Sequence, residues 1–269
     1  MLTIENWLKE NQSTFRLELC LLACKFLNLT KAQFVTNSAQ PISPELIEYL
    51  CFNLKELKSG TPFFYLIGNR EFWSLDLEVN QDVLIPRPES ELLVEKSAEI
   101  AKQNGRVLEL GTGSGAVSIA LAKERPDLNI VATDVSLKAL KVAQRNVKRH
   151  HCKIELIAAN WFQGLKSSWD LIISNPPYIS KDDPHLFDLR KEPNIALIAG
   201  ISGSEALNQI IDQAHHYLEQ DGYILLEHGF NQAIEIRQKL TRSSFSNVAS
   251  YKDLNEIDRV TIAEKIHLE

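Results

Sequence analysis

The chain has 269 residues, 44% of them hydrophobic, and a formal net charge of -6. That is enough apolar mass to bury a full core, which excludes a short binding module, and the acidic balance argues against a protein that grips nucleic acid by its phosphates. Met1-Leu2-Thr3-Ile4-Glu5-Asn6 lacks the charged-then-apolar pattern of a signal peptide, and no stretch reaches bilayer length, so a soluble cytoplasmic protein is expected.

Residues 1 to about 70 carry apolar residues at helical spacing, Leu17 to Leu27 and then Leu46, Ile47, Leu50 and Leu54. Pro41 and Pro44 punctuate the run and Ser43 is placed to cap the second long helix, which predicts a small helical domain over residues 1–70. Cys20 and Cys24 share one helical face, and neither they nor Cys51 and Cys152 have CxxC spacing. They read as core thiols of a reducing compartment, without disulfide or structural zinc. His150-His151 and His215-His216 lack partners at ligand spacing, so no metal is expected.

Phe72 to Val79 alternates apolar and polar residues, and Asn80, Gln81 and Asp82 precede Val83-Leu84-Ile85. This predicts a hairpin linker over residues 71–88 with its turn at 80–82. From residue 89 short apolar runs alternate with amphipathic helices: 106–110, 129–133, 154–158, 169–174 and 223–227 are strand-like, with helices such as 116–123 and 137–148 between them. The fold class is therefore α/β, a doubly wound, mostly parallel sheet over residues 89–269. Val248 to Tyr251 and Arg259 to Ala263 have no helix between them and suit an antiparallel pair at one sheet edge.

Three strand ends carry candidate chemistry. The first runs into Gly111-Thr112-Gly113-Ser114-Gly115, a tight turn that brings backbone close to a ligand at a helix N-terminus, with Glu109 two residues before it. Alone, this is equally an ordinary βα turn. Asp134 ends the second strand, where a carboxylate can accept both hydroxyls of a ribose. Asn160-Trp161 follow the third, where they could meet an adenine edge and face, although Trp161 could equally be a packing residue. The fourth ends in Asn175-Pro176-Pro177-Tyr178. Each proline fixes φ and removes an N–H, so the loop is a rigid array of acceptors beside an aromatic ring. It suits a planar nitrogen bearing two hydrogens: the Asn175 side-chain oxygen and the Pro176 carbonyl accept one N–H each and Tyr178 packs on the flat face. By itself it is equally a strand-to-turn exit.

Glu109 to Gly115, Asp134 and Asn175 to Tyr178 resemble the class I S-adenosylmethionine-dependent methyltransferases that act on amino or amide nitrogens. Pro62 with Tyr65 to Gly68, Arg70 to Leu75, Leu84 to Glu91 and Leu226-Glu227-His228-Gly229 further resemble the HemK/PrmC release-factor glutamine methyltransferases over nearly the whole chain. The resemblance implies a seven-stranded sheet, S-adenosyl-L-methionine as cofactor, and methylation of the amide nitrogen of the GGQ glutamine in peptide chain release factors. It implies that Gly111, Thr112, Gly113, Ser114 and Gly115 hold the methionine part, Asp134 the ribose and Trp161 the adenine. Asn175, Pro176, Pro177 and Tyr178 would then hold the glutamine carboxamide. Asn160 stands where the family usually has Asp, Glu89 where it often has Asp, and Asn255-Glu256 where glycine is common. A monomer that docks release factors through its helical domain, without direct nucleic-acid binding, is expected. A DNA adenine methyltransferase uses the same flat NH2 but needs a basic target-recognition region. A non-catalytic methyltransferase-like subunit has no need of the rigid loop.

Overall fold

The computed structural model describes residues 2–11 and 14–266. Its contacts divide the chain into two compact units, Met1–Asn69 and Arg70–Glu269. The first holds α1 (Ile4–Glu10), α2 (Arg16–Leu27), α3 (Lys31–Asn37), α4 (Pro44–Lys58) and α5 (Phe63–Ile67). Three of their starts are written in the sequence: Thr3, Thr30 and Ser43 accept the backbone N–H of Asn6, Gln33 and Leu46, and Pro44 takes the first turn of α4, where its missing donor is harmless. Their apolar faces meet in a core that includes Trp7, Leu22, Phe34, Leu46 and Leu50. Cys24 is buried in it, Cys20 half-buried, Cys51 exposed, and all four cysteines are free.

A short hairpin follows, β1 (Asn69–Phe72) and β2 (Leu75–Glu78). Its turn is Trp73-Ser74, with φ of 52° and 57°, rather than the expected Asn80 to Asp82. Neither residue favours the left-handed region, and tertiary partners hold the turn. The Trp73 backbone N–H donates to Glu91 Oε1 at 2.8 Å and its indole N–H to Glu124 Oε1 at 2.7 Å. Residues 79–87 then run as a loop, and the alternation that resembles a strand is the burial of Val79, Val83 and Ile85.

The remainder is α6 (Glu91–Ile100), β3 (Arg106–Leu110), α7 (Ala116–Glu124), β4 (Asn129–Asp134), α8 (Leu137–Arg149), β5 (Ile154–Ala158) and β6 (Trp169–Ser174). It continues with β7 (Ile179–Ser180), α9 (Asn194–Leu197), β8 (Ile198–Gly200), α10 (Glu205–Tyr217), β9 (Leu218–Glu227), α11 (Ala233–Arg242), β10 (Phe245–Lys252) and β11 (Asp258–Lys265). Seven strands form one sheet in the order β10-β11-β9-β6-β3-β4-β5. The run from β9 to β5 is parallel, and β11 lies antiparallel between β9 and the edge strand β10. The two-residue period of each strand divides the core. Val107, Leu171, Ile173 and Leu225 pack with Leu93, Val94 and Ile119 on one face; Leu108, Leu110, Ile172 and Leu226 pack with Leu207, Ile210 and Ile236 on the other. After β5 the chain returns to β6 on the far side of β3, so the strand order reverses between β3 and β6. At such a switch point the loops part and leave a crevice outside the strand ends.

Candidate active site

Leu110 of β3 pairs with Ser174 of β6, so Gly111 and Asn175 leave the sheet side by side at the switch point. A cleft of about 380 Å³ opens over these ends, within the range that buries a small ligand. Gly111, Gly113, Asp134, Asn160, Trp161, Asn175 and Pro177 all line it, so four separate strand ends supply one wall.

The glycine turn is held from below. Glu109 is buried; it accepts from Thr112 Oγ1 at 2.6 Å and from the Ser118 hydroxyl, and burial pushes its carboxyl upward. Gly111 and Thr112 both donate their backbone N–H to Thr133 O at 2.9 Å. Gly111 and Gly113 have φ of 74° and 56°, a region open to glycine without strain, and a side chain on Gly111 would meet the Trp161 ring at 3.6 Å. Thr112 and Ser114 are buried and do not line the cleft, and Gly115 is the residue just before α7; these three build the turn.

Asp134 Oδ2 accepts the Gly113 N–H at 2.9 Å and Oδ1 accepts the Ser136 N–H at 2.8 Å. Burial pushes the carboxyl upward from its ordinary value, against the backbone N–H groups of Ser136, Gly113 and Val135 that pull it down. Trp161 takes a left-handed φ of 51° and donates its indole N–H to Gln209 Oε1 at 3.1 Å.

Asn175 donates Nδ2–H to Ser90 Oγ at 3.0 Å. It also borders a second, smaller cavity of about 70 Å³, with Tyr178, Leu84 and Arg87. Pro176 is buried. Burial, and next the neighbouring Glu227, push the Tyr178 phenol well above its ordinary value, so it stays neutral.

The far wall was not foreseen. Leu84 on the loop before α6, Ile195 and Ala196 on α9, and Glu205 and Gln209 on α10 close the cleft. Glu192 ties two of these segments together. It is buried, accepts the Ile85 N–H at 3.2 Å, and pairs with Arg87 at 2.5 Å. No local pattern announces a clasp between residues 105 apart. Among the described residues no cluster of His, Cys, Asp and Glu could hold a metal ion, and no helix is long and apolar enough to cross a membrane.

These residues fit a nucleoside-bearing cofactor: two glycines admit close approach, a half-buried carboxylate faces the cleft, and an aromatic ring flanks it. Residues 88–188 match the Methyltransferase small domain family. A methyltransferase of known structure from Pyrococcus furiosus shares the fold at a TM-score of 0.58 and 19% identity, over 78% of this chain and 98% of that one. The release factor glutamine methyltransferase of Shewanella oneidensis is 40% identical over 92% of this chain and 87% of its own length. That of Neisseria gonorrhoeae is 37% identical over 98% of both. A rigid Asn-Pro-Pro-Tyr loop beside a glycine turn and a ribose-type carboxylate, on a chain that aligns almost end to end with these proteins, places it in the release factor glutamine methyltransferase family.

Proposed function

We propose that this protein methylates the amide nitrogen of the GGQ glutamine in peptide chain release factors, using S-adenosyl-L-methionine. The observation that carries the reading is the emergence of Gly111 and Asn175 from adjacent strand ends into one cleft. S-adenosylmethionine supplies, when bound, a methyl group activated on a positively charged sulfur. Gly111 and Gly113 would cradle its amino-acid part with Thr112, Ser114 and Gly115 shaping the turn, Asp134 would accept from the ribose, and Asn160 and Trp161 would meet the adenine. An asparagine at position 160 can still accept from the adenine amino group, without a carboxylate's charge.

An amide nitrogen is a weak nucleophile because its lone pair is delocalised. Asn175 Oδ1 and the Pro176 carbonyl would accept its two hydrogens and orient it, and Tyr178 would pack on the flat face. As positive charge passes to the nitrogen these acceptors bind more strongly, which favours the transition state over the ground state. The proton leaves after transfer, since the methylated, ammonium-like amide is acidic.

Mass spectrometry of a purified release factor incubated with protein and cofactor tests the reading: a gain of about 14 Da, one methyl replacing hydrogen, is expected on the GGQ glutamine. Absence of that gain, or labelled methyl appearing in duplex DNA instead, overturns it. Asn175→Ala should lower kcat by about 10²- to 10³-fold while cofactor affinity changes little. Equal turnover in that variant would remove Asn175 from the mechanism.

A further inference from the structure

Behind Asn175 lies a buried carboxylate with no place yet in the chemistry. Glu227 ends β9, whose Leu226 pairs with Ser174, so Glu227 stands beside Asn175 on the next strand. It is 1% exposed, and its Oε2 has no hydrogen-bond partner. Ser90 and Asn175 face its carboxyl and hold its acidity down against burial, and Asn175 Nδ2 donates to Ser90 Oγ at 3.0 Å. Ser90 itself is buried, at the start of α6.

A carboxamide has two nearly isosteric ends, and only one orientation helps here. With its oxygen to the cleft, Asn175 accepts a hydrogen from a substrate NH2; turned over, it would set its own N–H groups against those of the substrate. Above about pH 7 Glu227 is ionised and can only accept, so the end of Asn175 that faces it must then donate. The hydroxyl of Ser90 completes the arrangement, giving its single hydrogen to Glu227 and offering its lone pair to Asn175. Both Nδ2 hydrogens are thereby committed inward, and Oδ1 is the edge left for the cleft.

We propose that Ser90 and Glu227 are positioning residues that lock the Asn175 carboxamide with its NH2 turned into the protein and its oxygen turned to the cleft. The proposal rests on Asn175 being the acceptor for the substrate amide. The charged and titratable groups facing Glu227 are Glu89 before α6, Arg259 on β11 and Tyr178 after β6.

The lock is read first without substrate or cofactor. In amide-labelled protein the Asn175 side-chain NH2, identified by its loss in Asn175→Asp, should be a single pair protected from solvent exchange. Glu227→Leu, close in size, should abolish the protection. An unprotected pair in the wild type, or one unaffected by Glu227→Leu, overturns the lock whatever the substrate is.

Turnover gives the second reading. Glu227→Leu should lower kcat on release factor by about 10²-fold with unchanged cofactor affinity. Asn175→Asp at about pH 8.5 should be comparably impaired, because two ionised carboxylates would then face each other. Adding Glu227→Gln supplies a donor to the inward oxygen and should restore at least about tenfold of that loss, roughly one good hydrogen bond. A merely structural Glu227 predicts no such rescue, and a double variant no better than Asn175→Asp overturns the proposal. Failure of the functional reading looks different: the wild type itself would transfer no methyl, while the exchange measurement would still decide the lock.

Discussion

Glu227 is cut off from water at the end of β9, and burial pushes its carboxyl up to about 7, against hydrogen bonds from Ser90 and Asn175 and the attraction of Arg259 that pull it down. The unfolded value is near 4.5, so between these two pH values the folded chain holds a proton that the unfolded chain has lost. Stability from this group is therefore complete below about pH 4.5 and is lost as pH rises through about 7, by up to about 3 kcal/mol. Glu227→Gln cannot titrate, so the difference in unfolding free energy between variant and wild type should grow with pH across that window. Urea denaturation from pH 5 to 8 measures it, and parallel curves would mean that Glu227 titrates normally. Retaining a buried ionisable group at this cost is consistent with the orientation it imposes on Asn175, since an apolar residue of similar size would be cheaper there.

At the scale of elements, the cleft depends on a turn and a clasp. Gly115 lies just before α7 at φ 83°, and a Cβ there would lie 3.1 Å from Ile119 Cδ1 and 3.4 Å from Ala143 Cβ. Gly115→Ala should cost about 1–3 kcal/mol through left-handed strain and crowding and displace the Gly111 to Gly113 backbone. A lowered denaturation midpoint together with weaker cofactor binding is the expected result, and an unchanged midpoint would mean that the α7 and α8 contacts give way freely. Arg87 neutralises the buried Glu192, which binds the Ile85 N–H as well. Arg87→Ala leaves that carboxylate without its cation, so thermal stability should fall and backbone amides of residues 82–87 and 189–197 should exchange faster. Exchange unchanged in both segments would show that other contacts hold this wall.

For the whole molecule, the helical unit bears the exposed apolar side chains Leu17, Val35 and Phe52, as a docking surface for a protein substrate would. On that proposal residues 70–269 alone should bind cofactor like the full chain but show a KM for release factor at least about tenfold higher. An unchanged KM would leave the helices a role other than docking.

Much of this protein was legible locally because local rules set it. Ser43 and Pro44 announce a helix start, apolar runs of five or six residues announce strands buried on both faces, the glycines of Gly111 to Gly115 permit a tight left-handed turn, and the prolines of Asn175 to Tyr178 restrict their own backbone. Each depends on neighbours a few positions away, so periodicity and turn chemistry are sufficient to find it. Tertiary structure alone decided the hairpin turn at Trp73-Ser74, the Arg87–Glu192 clasp and the meeting of Ser90, Asn175 and Glu227. The partners in these contacts lie from about twenty to more than a hundred positions apart, and no periodic signal links them. The sequence by itself determined that Asn175 sits on a rigid loop at a strand end. The sheet alone brought Ser90 and the buried carboxyl of Glu227 up behind that amide.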